Sequence, residues 1–484
     1  MQHVQIAIVG SGFGGLGAAI RLKQAGFADF VILERADEVG GVWRDNSYPG
    51  CACDVQSHLY SFSFALNPGW SRSYSERPEI WAYLRRCAEE FGLLPHLRLG
   101  HELLAAAWDV SSSRWLLTTS QGPLSAAVLI LGSGGLSEPA IPALPGLDRF
   151  QGKLFHTARW DHSYDLAGKA VAVIGTGASA IQLIPAIQPQ VARLAVFQRS
   201  APWVLPRNER DFTLAERRLF ERFPPLRRML RGQIYATREL LVLGFRHPWL
   251  MRRLQQGVLR QLKRSVPDPS LRAKLTPNYT MGCKRVLRSD DYLLAIQRPN
   301  VELITEHIAE LRAGSIVTVD GAERHVDAII LGTGFQVTSQ PIARQVRGRD
   351  GRTLAEHWGA SPQAHLGTAV VGFPNLFILQ GPNTGLGHSS VLIMIERQIE
   401  LIVATLRHMR QRGLATIEPR PEAQAAFVAE VDRAMRGTVW TTGGCKSWYL
   451  DTTGRNSTLW PGFTWQFRHR LRRFNPNEFI LAGP

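Results

Sequence analysis

The chain has 484 residues, 45% of them apolar and 20% charged, enough for two or three domains with sizeable cores and too balanced for a disordered or fibrous protein. Its formal net charge of +16 attracts polyanions, but Arg carries most of it and no nucleic-acid-binding motif is present, so nucleic acid is not expected as a partner. No apolar run approaches the length of a membrane span, Val4 already begins a strand with no room for a signal peptide, and the five cysteines are odd in number and scattered; these point to a cytoplasmic protein without a disulfide framework.

The first predicted strand, VQIAIV at 4–9, runs into Gly10-Ser11-Gly12-Phe13-Gly14-Gly15 and then an Ala/Leu-rich helical stretch. In that context Gly10 makes the tight turn, Gly12 lets the backbone approach a pyrophosphate at the helix N-terminus, and Gly15 lets helix and strand close on each other. The next strand ends at Glu34, 24 positions after Gly10. A carboxylate there accepts hydrogen bonds from a ribose diol and repels a 2′-phosphate, so this loop suits FAD. In GGVWRDNSYPGCACD at 40–54 the pair Cys51 and Cys53 is not the usual redox dithiol. No second ligand pair stands at metal spacing, and no metal is expected. A strand, a glycine turn and a proline-rich exit at 127–146 mark a crossing out of a first FAD-binding part, 1–149.

A second copy follows. Strand AVAVI at 170–174 leads into Gly175-Thr176-Gly177-Ala178-Ser179-Ala180, and the partner strand ends at Arg199, again 24 positions on. Arg199 can pair with a 2′-phosphate, and Ala180 meets the need for a small third residue, so this loop suits NADPH. The NADPH-binding domain is expected over 150–324, interrupted by a basic helical insertion at about 207–275. There Leu250, Leu254, Val258 and Leu262 recur every four residues among Arg and Lys. A buried apolar stripe beneath a solvated face is the favoured reading of that pattern, and peripheral contact with an anionic membrane is the second. The insertion's Phe220, Phe223, Tyr235 and Trp249 hint at a hydrophobic substrate. DAIILGTGF at 327–335 repeats the strand-and-glycine pattern of 127–135, and NLFILQGPNTGLGHSS at 375–390 reads as a buried strand turning into a helix. Residues 325–484 should complete the FAD-binding domain and carry a C-terminal tail. The fold class is α/β, with two Rossmann-like dinucleotide-binding domains, the second inserted in the first.

At the crossing, residues 150–161 read FQGKLFHTARWD. This string resembles the FxGxxxHxxxW[P/D] signature of type I Baeyer–Villiger monooxygenases, through Phe150, Gly152, His156, Trp160 and Asp161. Trp160 and Asp161 favour that branch over the related N- and S-oxygenating enzymes. The likeness runs over nearly the whole chain, including 40–54, GCKRVLRSDDY at 282–292, PNTGLGHSS at 382–390 and SWYLDTTGRN at 447–456. It implies FAD, NADPH, O2 and a ketone that becomes an ester or lactone through a flavin C4a-peroxide. It also implies that Asp54 supports Arg285, and that Trp448 lies near NADP and substrate. One departure is Ala52, where family members often have Arg.

Taken by residue type alone, Arg285 reads more readily as a surface charge beside Lys284 and Asp54 as a turn residue, and only the resemblance lifts them above that. The chemistry nevertheless suits them: a permanent cation with several fixed donors stabilises a peroxide anion and the oxyanion of a tetrahedral adduct. His156 reads as a hinge residue in preference to an acid or base, and Trp43 and Trp448 read as cofactor neighbours or plain core aromatics. The competing functions are oxygenation of amines or sulfides, a disulfide reductase built on Cys51 and Cys53, and a non-catalytic dinucleotide sensor docking through its insertion.

Overall fold

A computed structural model describes residues 1–483. Its first sheet is centred on Gln2–Val9, which pairs in parallel with Phe30–Leu33 on one side and Gly122–Leu131 on the other. Leu97–Arg98 extends the sheet beyond Phe30–Leu33. The antiparallel strands Leu103–Asp109 and Arg114–Thr119 extend it past Gly122–Leu131. The late strand Leu376–Ile378 returns to lie parallel to Leu129–Leu131, so both ends of the sequence build this sheet. The second sheet is wholly parallel, in the order Val301–Ile304, Arg193–Phe197, Ala170–Ile174, Ala328–Leu331, Lys153–His156. The strands FVIL at 30–33 and AIIL at 328–331 are buried along their whole length, as befits strands with covered faces on both sides.

Ala328–Leu331 pairs with Lys153–His156 on one side and Ala170–Ile174 on the other. The chain therefore leaves the second sheet only after Leu331, later than the 324/325 division expected from the sequence. Two linkers run side by side between the sheets: Ala140 N–H donates to the Gly334 carbonyl (2.9 Å), Gln336 N–H to the Glu138 carbonyl (2.9 Å), and Thr333 Oγ1 to the Ala140 carbonyl (2.7 Å).

The insertion forms five helices, Leu214–Arg222, Pro224–Glu239, Leu241–Arg246, Pro248–Ser265 and Pro269–Leu275. Three begin on proline, whose fixed φ and missing N–H suit the first helical position. Two expectations fail here. Leu254 is exposed, because helix Pro248–Ser265 turns Met251 and Leu262 inward with Val258 half-buried between them. The cysteines are not all free: Cys283 and Cys445 form a disulfide across a sequence separation of 162. That separation hid the pairing. The tail's backbone comes so close at Gly443 that a Cβ there would lie 2.6 Å from the Cβ of Cys283. Among the described residues no helix is long and apolar enough to cross a membrane.

Candidate active site between two dinucleotide loops

Both glycine loops occupy the corner between a strand and a helix. Gly10 (φ +95°) and Gly175 (φ +110°) adopt backbone angles that disfavour any side chain. Gly12 and Gly177 start helices Phe13–Gln24 and Ala178–Ile187 without a side-chain cap, leaving first-turn N–H groups open to an anion. A Cβ at Gly177 would meet nothing within 4 Å, and one at Gly12 only Gly41 Cα at 3.6 Å, so each cradle has room for a phosphate.

Glu34 is buried at its strand end rather than solvated. One carboxylate oxygen accepts from Ser11 N–H (2.9 Å) and Ser11 Oγ (2.7 Å). The other accepts from Ala36 N–H (3.0 Å) and pairs with Arg44 (3.1 Å), a cation that sequence reasoning passed over. Arg199 is exposed at the matching end of the second domain. Lys284 stands close to it, its Nζ donating to Ser200 Oγ at 2.7 Å; burial and then the charge of Arg199 pull its pKa down. Two neighbouring cations at this strand end suit a phosphate dianion.

Asp54 and Arg285 meet although 231 residues apart. Arg285 Nε donates to Asp54 Oδ2 (2.5 Å) and Nη2 to Oδ1 (2.8 Å), a two-pronged pair that fixes the guanidinium plane, while Nη1 donates to the Leu386 carbonyl (3.3 Å). The side chains keep 27% and 24% exposure. Burial alone would raise the Asp54 carboxyl, but the guanidinium overrides it and holds the pKa at about 2; burial likewise opposes the Arg285 charge, and Asp54 more than restores it.

Two further groups converge here without having been singled out. Arg238, buried at the end of helix Pro224–Glu239, reaches the Asp54 carbonyl (3.3 Å), the His388 carbonyl (3.3 Å) and the Gln56 amide oxygen (2.5 and 2.8 Å). Beside it Glu239 accepts from Thr464 N–H (2.9 Å) and bonds His388 Nε2 (3.0 Å), tying the insertion to the last part of the chain. Tyr449 places its buried phenol beside Arg285. Burial pushes that phenol up to about 12.

The signature residues gather at the crossing. His156 ends the strand Lys153–His156; its Nδ1 accepts from Ala158 N–H (3.1 Å) and its ring meets Phe335 of the return linker edge-on at 5.7 Å. Burial pushes it down to about 4, so the ring is neutral at ordinary pH. A Cβ at Gly152 would lie 2.6 Å from the Asp327 carbonyl and clash with Phe150. Trp160 packs on Phe155 at 5.0 Å, and Asp161 pairs with Lys153. Trp43 is buried beside the first loop with its indole N–H on Tyr60 OH (3.1 Å). Trp448 is 45% exposed and rests on Tyr449, so it is not a core aromatic. The insertion aromatics do not converge: Phe220 packs on His58, while Phe223 and Trp249 face solvent.

Residues 3–344 match the flavin-binding monooxygenase-like family. A Baeyer–Villiger monooxygenase of Streptomyces coelicolor is 51% identical, over 100% of this chain and 93% of the relative. The chain belongs to the Baeyer–Villiger monooxygenase family. The solved structure of an oxidised steroid monooxygenase bound to NADP matches this monooxygenase with a TM-score of 0.89 at 31% identity, covering 100% of both chains. The OTEMO complex with FAD and NADP matches with a TM-score of 0.90 at 26% identity, over 99% of both. The monooxygenase binds FAD and NADPH, and the two open cradles, the buried Glu34 and the Arg199–Lys284 pair fit those cofactors in that order. The disulfide-reductase reading falls: Cys51 and Cys53 are buried and unpaired, and burial raises both thiols, Cys51 to about 11.

Proposed function

We propose that this monooxygenase inserts one oxygen atom from O2 beside the carbonyl of a hydrophobic ketone, giving an ester or lactone, and that Arg285 and Asp54 are the residues on which the insertion depends. Bound FAD, reduced by NADPH, would supply the activation of O2. The observation that carries the reading is the two-pronged Arg285–Asp54 pair, built from two distant parts of the chain. A guanidinium held at both edges keeps its orientation while charge develops on a neighbouring oxygen, and stabilises that charge without reorganising. Asp54 keeps the guanidinium plane fixed; Arg238 holds the backbone of Asp54 from behind and adds positive charge. Tyr449, beside Arg285, belongs to a buried apolar and aromatic cluster with Phe245, Tyr279 and Trp440, and this supports an apolar ketone. Gly10, Gly12, Gly15, Glu34 and Trp43 would hold FAD; Gly175, Gly177, Ala180, Arg199 and Lys284 would hold NADPH, with Trp448 at its nicotinamide end. Phe150, Gly152, His156, Trp160 and Asp161 would form the hinge between the domain built from 1–149 and from about 332–484 and the domain inserted between those parts, which ends at about 331.

The test compares the parent enzyme with Arg285→Ala and Arg285→Lys on matched ketone and sulfide panels, with products followed by mass. Ester or lactone formation should fall by roughly 100-fold or more in both variants, while NADPH oxidation without ketone persists. If Arg285→Ala makes ester at the parent rate, the assignment is wrong. A parent enzyme that oxygenates sulfides alone would move the activity to heteroatoms.

A further inference from the structure

We propose that the outer face of the helical insertion docks on a membrane surface rich in anionic phospholipid. Helix Pro224–Glu239 is apolar on two sides. Its inner side packs Leu226, Leu230 and Ile234 against the core. Its outer side carries Pro225, Met229, Gly232, Ala236 and then Leu240, spaced three or four residues apart and all exposed, a stripe that an ordinary globular helix would have covered. Met229 is 66% exposed, Leu240 63% and Trp249, on a following helix, 54%. The first four helices of the insertion each pack on the next, so these side chains belong to one subdomain.

Charge names the occupant. Residues 214–275 carry 15 Arg and Lys against four Asp and Glu, so this short stretch supplies +11 of the chain's +16. Nine of the cations are exposed against two carboxylates, Glu221 and Asp268. A second copy of the chain would bring the same positive face against this one and be repelled. A soluble polyanion would use the cations and leave the apolar side chains wet. An anionic bilayer satisfies both, drawing the arginines to the headgroups and taking the side chains of Met229 and Leu240 into the acyl boundary. The Trp249 indole, with Arg253 over its ring at 5.4 Å, has the amphipathic shape that favours the headgroup level.

Flotation of the cofactor-loaded enzyme with vesicles tests this, comparing phosphatidylcholine alone with phosphatidylcholine containing about a third phosphatidylglycerol. The expected result is roughly tenfold or greater recovery on the anionic vesicles, lost when salt is raised to about 0.5 M. Met229→Glu and Trp249→Glu should each reduce that recovery several-fold while flavin content and NADPH oxidation in buffer stay at parent levels. Equal recovery on the two vesicle types, or anionic recovery that ignores salt, overturns the proposal, and both are read on the parent protein whatever the variants' folding. So does a doubling of mass in solution that the same substitutions abolish, which would give the face to a second copy. Vesicle recovery is independent of the ketone assay, so either reading can fail without the other.

Discussion

The two dinucleotide loops solve the same chain corner differently at their third position. A Cβ at Gly15 would lie 1.8 Å from the Gly10 carbonyl oxygen, so nothing larger than hydrogen fits. In the second loop the helix carries the methyl group of Ala180, and the neighbouring strand end has to leave room for it: a Cβ at Gly332 would sit 3.2 Å from the Cβ of Ala180. Gly132 holds the equivalent place in the first domain, where an added Cβ would stand 2.9 Å from the Gly15 nitrogen. What the motif asks for at its third position is a clearance between helix, strand and next strand. Glycine is one way to supply it.

The sharpest way to break that comparison is Gly15→Ala. It should cost about 3 kcal/mol or more and strip the purified protein of flavin; a variant with full flavin absorbance and an unchanged unfolding midpoint would show that the corner can relax. Next comes the crossing between the loops. Buried His156, and His58 within the first part, both titrate near 4 when folded and near 6.5 when unfolded. The unfolded chain therefore takes up the proton first on acidification. Their contribution is fully present above pH 6.5 and lost as pH falls towards 4, on the order of 2 kcal/mol for each histidine. Denaturant titrations across that window should show the loss, and His156→Gln should flatten its share. The Asp54–Arg285 pair persists through the window, because Asp54 titrates at about 2.

A smaller effect separates the loops by cofactor. Arg199→Ala should raise the KM for NADPH roughly tenfold, leaving NADH turnover nearly unchanged, since only the 2′-phosphate loses its partner; equal losses with both cofactors would remove Arg199 from that role. The smallest effect is expected at Ala180→Gly, within about 1 kcal/mol and with NADPH still bound. A large loss there would mean that the second corner depends on the methyl group for packing.

Much of this was legible because it is local. Both loops, their strands and the residues 24 positions on were readable in short windows, and each sheet formed around them. Arg285 and Asp54 were readable only through resemblance, since nothing within a window connects residues 231 apart. Arg238 was hidden in a helix that looked like an outer layer, and Lys284 counted as a mere neighbour of Arg285 until folding set it beside Arg199. Leu254 points outward because a four-residue repeat drifts around a helix of 3.6 residues per turn, and the buried row runs through Met251 instead. Tyr449 and the Cys283–Cys445 bond depend on where the tail returns, which no spacing records.

That bond also changes what kind of object the chain is. Between Cys283 and Cys445 the polypeptide is a closed ring, holding the return linker, the late strand of the first sheet and helix Val391–Arg412. A protease that nicks any loop inside the ring cuts the backbone but releases nothing: the two pieces stay joined beside Arg285 and travel as full-length protein until a reductant is added. On a non-reducing gel, an intact enzyme and one cut within the ring are the same band.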